Sequence, residues 1–229
     1  MPVYCVFSTF DICVFSGCGG GDTDKADGDA QQAGQGDGAG GTTGTGGGVA
    51  DSGTSNPMTP PGENPVYEIR TNVGSFTVEL MTSKAPQTCS TFERNAQSGR
   101  YDGTIFHEVY NVAIIGGGFK RDLSARPVSM AIVNEADNGL KNVRGTMSML
   151  RKPENKDSAT GDFFVNVTDN PNFDHQDDTD EGFGYCVFGT VKSGMDVVEA
   201  ISKKPVKQQD GFASLPLETV EILEVKKIK

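Results

Sequence analysis

VYEIRTNVGSFTVEL, Val66 to Leu80, is the stretch that decides the fold class. Val66 to Asn72 and Ser75 to Leu80 alternate β-branched or aromatic residues with polar ones, the period of a half-buried strand, and Val73-Gly74 between them reads as a hairpin turn. A helix is expected next, because Pro86 suits a first helical turn, Phe92 and Ala96 stand four apart, and Gly99 suits the stop. Further strands are expected at Thr104 to Val109, Val128 to Ile132, Gly145 to Leu150, Asp162 to Val167, Gly184 to Val191 and Leu217 to Ile228. MDVVEAIS, Met195 to Ser202, reads as a second short helix. So many strands against two helices argue for a closed antiparallel barrel or a sandwich, and against alternating βαβ units. No helical pattern follows Gly116-Gly117-Gly118, so it reads as a tight loop and not as a dinucleotide fingerprint.

Charge separates this body from what precedes it. The chain has 229 residues and a formal charge of -11, and residues 1 to 65 hold eight of its 31 acids with a single base, Lys25. The remainder carries 23 acids against 19 bases and no basic stripe, which argues against a nucleic-acid partner.

Val3 to Gly17 is too short, and too interrupted by Asp11, for a membrane-spanning helix of about 20 apolar residues. It reads as an export signal, residues 1 to 17. Phe15-Ser16-Gly17-Cys18 resembles the bacterial lipobox, which implies lipidation of Cys18 and a protein anchored to a membrane and facing the periplasm. The lipobox departs from type in lacking any Lys or Arg before Lys25. Residues 18 to 65, rich in Gly, Asp and Thr and ending in prolines, have too little apolar surface to order themselves and read as a disordered linker. As a coil the linker spans about 35 to 40 Å. Only Cys89 and Cys186 lie in the body, too few for a disulfide framework, and both read as buried free thiols.

Five strings then fall in order along residues 66 to 229: FHEV at 106, GGGF at 116, NEADNGLKNVRGTMSM at 134, SATGDFFVNV at 158 and GYCVFGTV at 184. Together they closely resemble the cyclophilin-type peptidyl-prolyl cis-trans isomerases in their bacterial form. The resemblance implies an all-β fold, a closed eight-stranded antiparallel barrel capped by two α-helices. It also implies a proline-binding groove on one outer face, no metal or organic cofactor, proline-containing polypeptides as partners, and a monomer. Turning an X-Pro bond crosses a barrier of about 20 kcal/mol without making or breaking a bond. Such a site therefore needs an apolar seat for the ring and a cationic donor that favours the twisted amide.

In the family that donor is an arginine after the Phe-His pair, and here the position is Glu108, which inverts the charge. With the glycines aligned, this chain is one residue shorter, and the family's phenylalanine, methionine and glutamine fall on Val112, Ala113 and Ile115. A further glutamine, before the Phe-Phe pair, is Asp162. The resemblance makes Phe164 the pocket floor, Met149 and Leu150 its edge, and Phe183 with Tyr185 its far wall. By pattern alone Phe164 and Met149 also fit the barrel interior. Arg121, Arg126 and Arg151 are candidate substitute donors. His107 reads as structural, and His175 as solvated.

Asp169 to Glu181 packs six carboxylates into a loop that is read as solvated, because its spacing is not that of a calcium loop. Were the loop to lean over the groove, basic peptides would be favoured. Three functions stay open: a slow isomerase with a degenerate site, a catalytically silent peptide-binding or scaffold domain and, behind both, a metal-dependent binding module built on the acidic loop.

Overall fold

A computed structural model describes residues 64–229; the signal, Cys18 and nearly all of the linker lie outside them. Ten strands form in order: β1 (Val66–Thr71), β2 (Gly74–Leu80), β3 (Thr104–Val109), β4 (Ala113–Lys120), β5 (Thr146–Met149), β6 (Phe163–Asn166), β7 (Val187–Ser193), β8 (Val206–Gln209), β9 (Phe212–Pro216) and β10 (Glu221–Lys227). Two helices join them, α1 (Pro86–Gln97) and α2 (Met195–Ser202). Eight strands close an antiparallel barrel in the order β1-β10-β3-β4-β6-β5-β7-β2, which decides between barrel and sandwich, while β8 and β9 form a separate hairpin.

The barrel is filled by rings. Phe92 of α1 stands 5.5 Å from Tyr67, 5.2 Å from Tyr101, 6.0 Å from Phe163 and 5.5 Å from Phe188, so the helix plugs the interior with its apolar face. The start of α1 has no side-chain cap of its own. The Glu135 carboxylate supplies one from a distant loop, accepting from the Gln87 and Thr88 amides at 3.1 and 2.9 Å and from the Thr88 hydroxyl at 2.7 Å. Cys89 and Cys186 are free and buried inside this shell.

Four expectations about the elements need correction. The first turn is Asn72-Val73, with Thr71 and Gly74 already paired, because the Thr71 side chain bonds both the Val73 amide and the Gly74 carbonyl. The glycine run is part of β4, not a loop. A Cβ at Gly116 would lie 2.9 Å from the Phe106 ring, one at Gly117 3.0 Å from Tyr101, and one at Gly118 2.1 Å from the Asp162 carboxylate, so side chains of neighbouring segments press on the bare backbone there. Val128 to Ile132 forms no strand and contributes one bridge, Ile132 to Ala159. The hairpin β8–β9 is additional, and its turn, Asp210-Gly211, has positive φ at both residues, 51° and 89°. That is the Asp-Gly signal of a tight hairpin.

Hairpin β8–β9 lies on the outside of β3. Ile105, Phe212 and Leu215 make a second apolar cluster with Phe119 and Leu123, and the Ser214 hydroxyl donates to the Val109 carbonyl at 2.6 Å. His107 is enclosed beneath it, 4.7 Å from Phe119 and 5.6 Å from Phe212. Its Nδ1 has no hydrogen-bond partner, and burial lowers its pKa to about 4, so the ring is held neutral.

Candidate active site

Strand register builds the site as a row across the outer face. Glu108 on β3 is opposite Ile115 on β4, Ile115 is opposite Phe164 on β6, and Phe164 is opposite Ser148 on β5. Side chains alternate across a sheet, so Ile114, Phe163, Val165 and Met147 enter the barrel core while Ala113, Ile115 and Phe164 stay out of it. The alternation resolves both open readings. Phe164 is on the outer face, whereas Met149 belongs to the core, where it lines a small cavity with Thr88, Ile132 and Cys186.

Phe164 is one corner of an aromatic triangle. Its ring lies 5.6 Å from Phe173 and 5.5 Å from Tyr185, and those two are 5.5 Å apart, all edge to face. Phe173, in a short 3-10 turn at Pro171–Phe173, is the wall residue that sequence reasoning missed. It hides in an acidic run, and the Asn-Pro pair before it was the signal that the chain turns inward there. Phe183 takes no part in the triangle. Its ring meets His175 at 4.8 Å and the Lys156 ammonium at 4.3 Å, and it joins the core cluster. His175 is consequently half-buried against Phe183, not solvated, with Nδ1 3.1 Å from the Phe183 carbonyl.

Asn142, also missed, fixes the triangle from behind. Its amide donates to the Phe173 carbonyl at 3.0 Å and the Tyr185 carbonyl at 3.2 Å, and its oxygen accepts from Ser148 at 2.7 Å and Asn166 at 3.2 Å. Buried amides of this kind are restrictive because each unmade bond is costly, so the two ring-bearing segments have one arrangement. Tyr185 is also faced by Arg151, whose guanidinium carbon is 5.0 Å from the ring centre. Arg151 is buried with no carboxylate partner among the described residues and donates to the carbonyls of Gly184, Lys152, Pro153 and Glu181 at 2.8–3.2 Å. Leu150, next to it, is half-buried, and its amide donates to the Asp162 carbonyl at 2.8 Å.

The β3 side is built differently. The Glu108 carboxylate accepts from the Tyr110 hydroxyl and from the Ala213 amide of β9 at 3.2 Å. Burial raises its pKa, with those two bonds acting the other way. Asp162 lies against Gly118 and meets Arg100 at 3.6 Å; burial raises its pKa to about 6 although Arg100 opposes the rise. Val112 precedes β4 and is half-buried, its carbonyl accepting from the Val167 amide at 2.9 Å and from Asn170 at 3.1 Å. None of the candidate substitute donors is directed to Glu108. Arg121 pairs with Glu221 at 3.9 Å, Arg126 donates to the Asp102 carbonyl, and Arg151 is held as above. Among the described residues no group of three or more His, Cys, Asp or Glu is arranged to hold a metal, and no helix is long and apolar enough to cross a membrane.

A closed eight-stranded barrel with two helices and an aromatic seat on its outer face is the architecture of a prolyl isomerase. Residues 66–227 match the family described as cyclophilin type peptidyl-prolyl cis-trans isomerase/CLD, and the chain belongs to that family. It is 43% identical over 164 residues to a peptidyl-prolyl cis-trans isomerase of Acinetobacter baylyi, covering 71% of this chain and 85% of that one. It is 40% identical over 156 residues to peptidyl-prolyl cis-trans isomerase B of Escherichia coli, covering 68% of this chain and 94% of that one. A cyclophilin type isomerase of Cryptosporidium parvum, solved in the presence of the dipeptide Ala-Pro, shares the fold at a TM-score of 0.61 and 22% identity, over 72% of this chain and 99% of that one.

Proposed function

We propose that this chain is a slow prolyl isomerase of exported proteins, anchored to a membrane through Cys18 and acting as a monomer on X-Pro bonds in polypeptides that reach the cell envelope. The observation that carries the reading is the row Glu108, Ile115, Phe164: the seat for a proline ring stands with its aromatic neighbours, while the position two strands away holds a carboxylate. An apolar seat can still bind the ring and lower the barrier by excluding water from the amide, which favours the less polar twisted state. What the site lacks is a cation to bind the twisted amide's carbonyl oxygen and a donor for its pyramidal nitrogen. Removing one preorganised donor costs about 100- to 1000-fold in rate in other enzymes.

The test is a prolyl-peptide isomerisation assay on the full chain beside the Glu108→Arg variant. The expected outcome is a small acceleration over the spontaneous rate by the unaltered chain and at least a tenfold higher kcat/KM in the variant. No acceleration by the unaltered chain, with peptide still bound, would replace this reading by a silent peptide-binding domain; the capture of Glu108 by Tyr110 and Ala213 is the observation on that side. For the anchor, Cys18→Ala should move the protein from the membrane fraction to the soluble one.

A further inference from the structure

Glu108 is a buried charge left without a counter-ion. It is 6% exposed, yet it forms no ion pair with any described residue, whereas Asp162 has Arg100. Its two donors, one hydroxyl and one amide, are neutral and leave part of the accepting capacity of the carboxylate unused. Its neighbours along the row, Ile115 and Phe164, are apolar, so a charge brought to it is attracted through a medium that screens poorly. Burial also works against the ionised form, a cost that an incoming cation would offset.

Beyond the triangle the sign reverses. Arg151, which has no ion pair with any described residue and is held by four backbone carbonyls, stacks on Tyr185. The row therefore runs from a carboxylate on β3, across the aromatic cluster, to the ring that carries a buried guanidinium on its far side.

We infer that the groove selects prolyl peptides bearing a lysine or arginine on one side of the proline, with Glu108 receiving the cation. This rests on the reading that Phe164 seats the proline. Two strand spacings separate Glu108 from Phe164, about 10 Å, or about three residues of extended chain. The basic residue accordingly stands within three places of the proline, and the same residue on the opposite side meets Arg151 and gains nothing. Salt weakens the preference less than it would at an exposed pair, because the carboxylate is recessed.

The experiment uses the full chain and blocked peptides with a central Ala-Pro, carrying Lys or Gln two places before or two places after the proline, with affinities read by NMR titration. The Lys peptide on one side is expected to bind at least tenfold tighter than its Gln counterpart. In Glu108→Gln, whose amide oxygen can still accept from Ala213, that ratio falls to within twofold. Lys and Gln peptides binding within twofold of each other on both sides would overturn the inference, as would a Lys advantage that survives in the variant. Binding of none of the peptides would overturn the proposed groove itself, an outcome distinct from equal binding.

Discussion

The two flanks of the groove follow different rules. On the Tyr185 flank three rings touch one another, one asparagine fixes the backbone behind two of them, and a guanidinium covers the third face. The backbone carbonyls of Phe173 and Tyr185 are both bonded there, and the rings constrain one another pairwise. On the β3 flank the side chains are a carboxylate, an alanine and an isoleucine, and the carboxylate is held by an accessory hairpin. The comparison teaches that the two ends of this outer-face row are positioned by separate parts of the fold, one by a buried asparagine behind touching rings and the other by an accessory hairpin.

The largest expected effect comes from removing the seat. Phe164→Ala should weaken binding of an Ala-Pro peptide at least tenfold in the NMR titration and reduce stability by about 3–5 kcal/mol, as for other buried Phe truncations; unchanged affinity would mean that the triangle is not the seat. Next is its support: Asn142→Ala takes a partner from the Tyr185 carbonyl and the Ser148 hydroxyl, while the Phe173 carbonyl keeps the Tyr185 amide and the Asn166 amide keeps Thr146, and should cost about 2–3 kcal/mol in urea unfolding. Losses below about 1 kcal/mol would show the Tyr185 flank to be no more determined than the other.

Acid probes two perturbed groups, His107 on β3 and Asp162 just ahead of β6. His107 has its pKa lowered from 6.5 to about 4 by burial, so the unfolded chain takes up the proton first and stability falls as pH drops from above 6.5 towards 4. A shift of that size corresponds to about 3–4 kcal/mol, and His107→Leu should flatten the decline. Asp162 acts with the opposite sign: its pKa is raised to about 6, the folded chain takes up the proton first, and stability rises as pH falls through 6 towards 4. Asp162→Asn should therefore make the acid decline steeper. The smallest effect is expected from Ile115→Gln in the Glu108→Arg background, a two- to fivefold further gain in kcat/KM from restoring the amide. No gain would show that the amide missing at Ile115 does not limit the Glu108→Arg variant.

Much of this was legible in the chain itself, for reasons that differ by element. Alternation marked the first hairpin, and α2 was readable to the residue, because both bury one face only. Gly116-Gly117-Gly118 carried no apolar pattern because its packing partners, Tyr101, Phe106 and Phe163, belong to other segments. Val128 to Ile132 had the pattern of a strand without a neighbour to pair with beyond one bridge. Family resemblance located Glu108 and Phe164, yet Met149 and Phe183 point into the core, and Phe173 was obscured by the acids around it. Which face a residue occupies depends on register, and register is set by partners distant in the chain.

The two cysteines enclosed with the barrel core have a further consequence. Burial pushes the Cys186 thiol up to about 12 and the Cys89 thiol higher still, so at neutral pH almost no thiolate exists and no reagent reaches it. Alkylation can then proceed only through molecules whose core has opened, and its rate is a clock for that opening. Both sulfurs lie in the main core cluster and the hairpin above β3 packs on a separate one, so the clock reports the opening of the barrel and not of that hairpin.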